Sequence, residues 1–109
     1  MAVDFRDLQK EVENWSMKNF GDQSAHLPLL GVGEETGELM HAYLKMSQGI
    51  RGDKSVHMIE LMDAVGDIVI YLLDFCSRMD VCFEDCVKEA WKQVAERDWT
   101  TERKDNGII

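Results

Sequence analysis

An all-α fold, a four-helix bundle-like subunit, follows from three features of the sequence. Apolar residues recur at helical spacing through most of the chain, a single proline interrupts it, and no stretch keeps the strict alternation of a half-buried strand. At 109 residues the chain reads as one domain over 1–99 followed by a C-terminal tail over 100–109. Hydrophobic residues make up 45% of it, enough for a packed core. A domain this small buries a smaller share of its surface than a large one and gains from association.

Each helix has its own signature. Val3–Phe20 places Phe5, Leu8, Val12, Trp15 and Met17 among charges, the pattern of an amphipathic first helix. The polar stretch Gly21–Leu27 reads as a loop, and Pro28 suits the first turn of a second helix ending near Met46. Gly31, Gly33 and Gly37 each weaken that helix, so close approach of another helix or a ligand to the backbone is expected, with tight helix packing at two of the three at least. Ser47–Ser55 is a loop, a third helix runs from Ser55 to Met79, and Asp80 is the expected N-cap of a fourth helix over Val81–Asp98. Short connections make these helices antiparallel neighbours.

Carboxylates mark where the chemistry lies. Glu34, Glu35 and Glu38 fall within about a 100° arc of the second helix. On the third, Asp63, Asp67, Tyr71 and Asp74 all lie within about 60° of Glu60, while Leu61, Met62, Val65, Ile68 and their neighbours make the remaining circumference apolar. Such a helix is expected to be buried on nearly all sides, in part by a second subunit, with the acidic stripe serving as a window to water or a metal site. Two antiparallel helices that each offer acids one turn apart suit Mg²⁺, or Mn²⁺ in its place, which takes a few carboxylates and keeps other positions for water and phosphate.

A formal charge of −9 argues against a nucleic-acid polymer or an anionic membrane as partner. An anionic nucleotide would have to arrive with divalent cations. The longest strongly apolar run, Ile68–Leu73, is too short to span a bilayer, and no secretory leader is evident. Cys76, Cys82 and Cys86 are odd in number and lack CxxC spacing, so buried free thiols in a reducing cytoplasm are expected.

EETGE at Glu34–Glu38, followed by DAVGDIVIYL at Asp63–Leu72, resembles the MazG-type nucleoside triphosphate pyrophosphohydrolases of the all-α NTP pyrophosphatase superfamily, over roughly Phe5 to Trp99. That family's signature is EExxE, a spacer, then ExxD. The resemblance implies a subunit that forms dimers or tetramers. It also implies Mg²⁺-dependent cleavage of (d)NTPs between the α and β phosphates to a monophosphate and pyrophosphate, a house-cleaning hydrolysis of non-canonical or surplus nucleotides. By position, Glu35 and Glu38 are then metal ligands, Glu34 a metal or water partner, and Asp67 the acid that closes the second motif; Glu34, Glu35 and Glu38 form the catalytic set. The Glu of ExxD falls on Ala64, so Asp63 is expected to take its place, with Glu60 in support. Lys45 and Arg51 follow the second helix's acids, and Lys88, Lys92 and Arg97 lie where the family tends to place phosphate contacts. Trp15, Phe20 and His26 are expected at the base, with Trp91 and Trp99 as further aromatics and His41 beside Glu38. Two rival readings stand beside this one. Ala64 in place of Glu suits a helical oligomerisation or nucleotide-binding module without turnover, and Glu38-x-x-His41 matches half of a di-iron carboxylate motif.

Overall fold

A computed structural model describes residues 2–100, which form four helices: α1 (Phe5–Phe20), α2 (His26–Gln48), α3 (Lys54–Arg78) and α4 (Phe83–Ala95). No strand occurs among the described residues, so the fold is all-α and four-helix-bundle-like. The expected tail over 100–109 lies outside the described residues except for Thr100. Among the described residues no helix is long and apolar enough to cross a membrane.

Capping chemistry sets the helix starts. The Asp4 carboxylate accepts from the amides of Arg6 and Asp7 at 2.9 and 3.1 Å and opens α1. Asp53 does the same for α3 through the Val56 amide at 3.0 Å. Gly49, in the left-handed region at φ 69°, closes α2 with its N–H on the carbonyls of Lys45 and Met46. Asp80 does not cap α4 as expected. It sits in the left-handed turn that ends α3 (φ 62°), and the Val81 amide is spent on the Cys76 carbonyl at 2.9 Å. The helix therefore starts two residues later, at Phe83, whose amide donates to the Gln9 side chain of α1 at 2.9 Å; the same Gln9 amide donates to the Val81 carbonyl at 2.9 Å. A side chain 74 positions away caps this helix, which no local pattern announces.

The principal packing is α2 against α3, and α1 lies across α3. Among the described helices α4 contacts α1 and α3. It is anchored by the Phe5 and Phe83 rings at 5.4 Å and by Arg6 paired with Glu84 (2.9 Å) and Asp85 (2.5 Å). The core is small: Val12, Ala42, Ala64, Leu73 and Cys76 are its buried apolar residues. In the single chain much of the apolar surface of α3 is exposed, Ile59 at 68% and Met62 at 64%; Leu30 and Met40 of α2 and Trp91 of α4 are equally open. A compact chain of this size has a radius of gyration of about 13 Å and an accessible surface of about 6,200 Å². Here the values are 17.6 Å and 8352 Å².

Among the glycines of α2, only Gly31 is approached closely. A Cβ there would run into the Tyr71 ring, whereas at Gly33 and Gly37 it would meet nothing. The expectation of tight packing at two of the three is therefore not met within one chain. Of the cysteines, all free, only Cys76 is buried; Cys86 is exposed.

Candidate functional site

The α2–α3 loop and the Gly31–Tyr71 contact together set a register. Gly31 lies as far before the end of α2 as Tyr71 lies after the start of α3. The same register puts Glu35 opposite Asp67 and Glu38 opposite Ala64, with Asp63 a residue to one side. Ala64 is 2% exposed, so the position where the motif would carry a glutamate is part of the core.

The two acidic stripes do meet. The Glu35 carboxyl is pushed above the ordinary carboxylate range, first by desolvation and then by the charges of Glu38, Asp67, Glu34 and Asp63. Four carboxylates from two helices thus act on Glu35, and none of the five has a hydrogen-bonding or ionic partner among the described residues. Even so, no three of the His, Cys, Asp and Glu side chains among the described residues close around a common point as a ready-made metal cage. Their donor set is all oxygen, which suits Mg²⁺ held by one or two carboxylates with water and phosphate completing its shell.

Beside these acids opens a cavity of about 430 Å³. Its walls are aromatic and aliphatic: Val12, Trp15 and Phe20 from α1, Leu27 and Pro28 from the start of α2, Ile70 and Tyr71 from α3. Trp15 and Phe20 meet edge to face, with centroids 5.5 Å apart and planes at 83°. Glu35 and Asp67 line one end, Gln23 and Asp74 another part, and Tyr71 stands between. Burial raises the Tyr71 phenol's pKa, and the charges of Glu34, Glu35, Asp67 and Asp74 raise it further, so this ring lies in the field of both groups of acids.

Asp74, like Glu60, is a member of the α3 stripe that lies outside the cluster. Its carboxylate is buried, accepting from Arg78 Nε at 2.9 Å and from the Ser16 hydroxyl at 2.9 Å. Arg78 Nη2 donates to Ser16 Oγ at 2.6 Å, closing a triangle, while Nη1 donates to the carbonyls of Gly21 and Gln23 at 3.2 and 2.8 Å. One guanidinium therefore ties α1, the α1–α2 loop and α3 together.

No family model, curated protein or solved structure matches this chain.

Of the residues expected at the base, Trp15 and Phe20 line the cavity, and His26, the exposed first residue of α2, does not. The expected phosphate contacts are not gathered at the acids. Lys45 donates to Gln48 at 3.1 Å, Lys88 pairs with Glu84 at 3.4 Å, and Lys92 and Arg97 are exposed, on α4 and just beyond it. Glu60 is held by His57 Nδ1 at 2.9 Å, whose Nε2 donates to the Ile50 carbonyl at 2.9 Å. Sequence reasoning did not single out Ser16, Gln23 or Arg78. The i, i+4 spacing of Asp74 and Arg78 was a usable signal, as was a serine on the apolar face of α1; Gln23, in a polar loop, offered none.

Proposed function

We propose that this chain is a divalent-metal-dependent nucleoside triphosphate pyrophosphohydrolase of MazG-like type, which releases pyrophosphate from (d)NTPs. One observation carries the reading: an aromatic-walled cavity large enough for a nucleoside meets a set of mutually repelling carboxylates that no cation among the described residues pairs with. A hydrophobic pocket that opens on uncompensated negative charge suits a ligand with a flat apolar part and a polyphosphate that arrives with its own cations. When bound, Mg²⁺ or Mn²⁺ would supply neutralisation of the phosphates and a water of lowered pKa. Glu35 and Asp67, facing each other, would orient the phosphate end. Glu38 and Asp63 would extend that set, and Glu34 would accept the proton of the water that attacks the α-phosphorus as pyrophosphate leaves.

A second copy of the chain would cover the exposed apolar faces of α2, α3 and α4, and in such a dimer or tetramer the α4 lysines could approach another subunit's site. The free cysteines suit a reducing cytoplasm.

Pyrophosphate release from a panel of NTPs and dNTPs, with Mg²⁺, Mn²⁺ or EDTA, tests the reaction. Metal-dependent pyrophosphate with a monophosphate product is expected, and Glu38→Gln and Asp67→Asn should abolish it with helix content unchanged. Asp63→Asn should be as damaging, while an inert Asp63 would move its role to Glu60. A second reading, a nucleotide-binding module without turnover, is favoured by the buried Ala64 opposite Glu38. Nucleotide binding with no pyrophosphate from any substrate would select it.

A further inference from the structure

The proposed reaction leaves one end of the cavity without a task, and that end is built more firmly than the rest. Asp74 lies seven residues beyond Asp67 on α3, about 10 Å along the helix. That span is comparable with the reach from a 5′-phosphate to the far edge of its base. A nucleotide whose phosphates sit at Glu35 and Asp67 would bring its base past Tyr71, Trp15 and Phe20 to Asp74 and Gln23.

The hydrogen bonds fix what Asp74 can offer. Arg78 can only donate, so the Ser16 hydroxyl accepts from Nη2 and its own proton goes to Asp74 Oδ2. The Asp74 carboxylate, ion-paired with Arg78, is thus an acceptor with no proton to give, and each oxygen keeps a further lone-pair direction. Beside it, the Gln23 side-chain amide has no protein partner among the described residues, although its backbone carbonyl is held by the same guanidinium that holds Asp74. Arg78 therefore fixes the Asp74 carboxylate and the backbone of Gln23, two residues of the cavity wall.

We propose that Asp74 and Gln23 are specificity-determining residues that select bases with an exocyclic amino group beside a ring nitrogen acceptor, the edge shared by cytosine and adenine. Asp74 accepts from the amino group and the Gln23 amide donates to cytosine N3 or adenine N1. Uracil and hypoxanthine, the deaminated counterparts, put a carbonyl oxygen against the carboxylate and a ring N–H towards the amide. The first contact is repulsive and cannot be relieved, because Asp74 carries no proton and its neighbours hold it in place. Within the proposed hydrolysis of nucleotides, on which this inference rests, the substrates are then surplus amino-bearing nucleotides and not deaminated ones.

The test compares isosteric pairs on the wild-type protein: kcat/KM for pyrophosphate release from dCTP against dUTP and from ATP against ITP, with Mg²⁺. A preference of at least about tenfold for the amino member of a pair is expected, and the pair that shows it tells cytosine from adenine. Asp74→Asn, which can donate as well as accept, should narrow that ratio by raising KM for the amino substrate and lowering it for the carbonyl one. Turnover with equal rates, or with dUTP and ITP favoured, would overturn the base assignment and leave the reaction class standing. If nothing is hydrolysed, calorimetric binding of dCMP against dUMP and of AMP against IMP decides: discrimination upholds the assignment while the reaction reading fails, and equal or absent binding overturns it. Should Asp74→Asn fail to fold, as circular dichroism would show, Gln23→Leu replaces it. Its KM for the preferred substrate should rise severalfold with kcat little changed, and an unaltered KM would overturn the assignment.

Discussion

Two positions on the acidic stripe of α3, Asp67 and Asp74, treat the same chemical group in opposite ways. At Asp74 the carboxylate is buried, but an arginine and a serine satisfy it and the triangle is closed. At Asp67 the carboxylate is half-exposed and faces Glu35 among three further acids, with no ion-pair partner among the described residues. Burial alone would point to Asp74 as the costly group. Compensation reverses that judgement: a charge with its partners in place is held cheaply where the fold puts it, and a group of charges without partners waits for a cation from outside.

The sharpest way to break this comparison is to remove the compensation. Arg78→Ala leaves Asp74 buried without its cation and frees the α1–α2 loop, and it should cost about 3–5 kcal/mol in urea unfolding. A loss below about 1 kcal/mol would mean that the triangle does not hold the fold. At the other end the sign should be opposite. Because Glu35's folded-state pKa is raised, its ionisation penalises the native state, a cost absent below the unfolded value near 4.5 and present in full above the folded one. Glu35→Gln should therefore raise the melting temperature at pH 7 and change it little near pH 3. Millimolar Mg²⁺ should raise the wild-type melting temperature by relieving the same repulsion, and the unfolding free energy by about 2.7 kcal/mol if the ion is present at a hundredfold its Kd.

Smaller effects separate the glycines. Gly31→Ala forces the Tyr71 ring to move and should cost about 1–3 kcal/mol. Gly33→Ala and Gly37→Ala enter open space and should stabilise by up to about 1 kcal/mol. A loss at either would show that the assembled protein covers this backbone. The smallest expected effect is a slope. His57 donates to Ile50 O and meets Glu60, so its folded pKa lies above 6.5, raised first by the Ile50 carbonyl and then by Glu60. Its contribution is complete below the unfolded pKa and is lost as pH rises through the folded one. Urea midpoints should decline across that window in the wild type and stay flat in His57→Asn.

What was legible in the sequence was whatever depends on neighbours a turn apart. Helical periodicity and sparse proline placed α1 to α3 within a residue or two, and the same period aligned Glu34, Glu35 and Glu38 on one face and Asp63 and Asp67 on another. Tertiary structure decided the rest, because each remaining choice depends on a side chain far along the chain. Gln9 determines where α4 begins. Tyr71 distinguishes Gly31 from Gly33 and Gly37. Ser16, through a hydroxyl 58 positions away, turns Asp74 from one more acid in a stripe into a fixed acceptor at the far end of a cavity. Helical spacing places a carboxylate on a face; only the packing of a second helix decides whether that carboxylate meets an arginine or another acid.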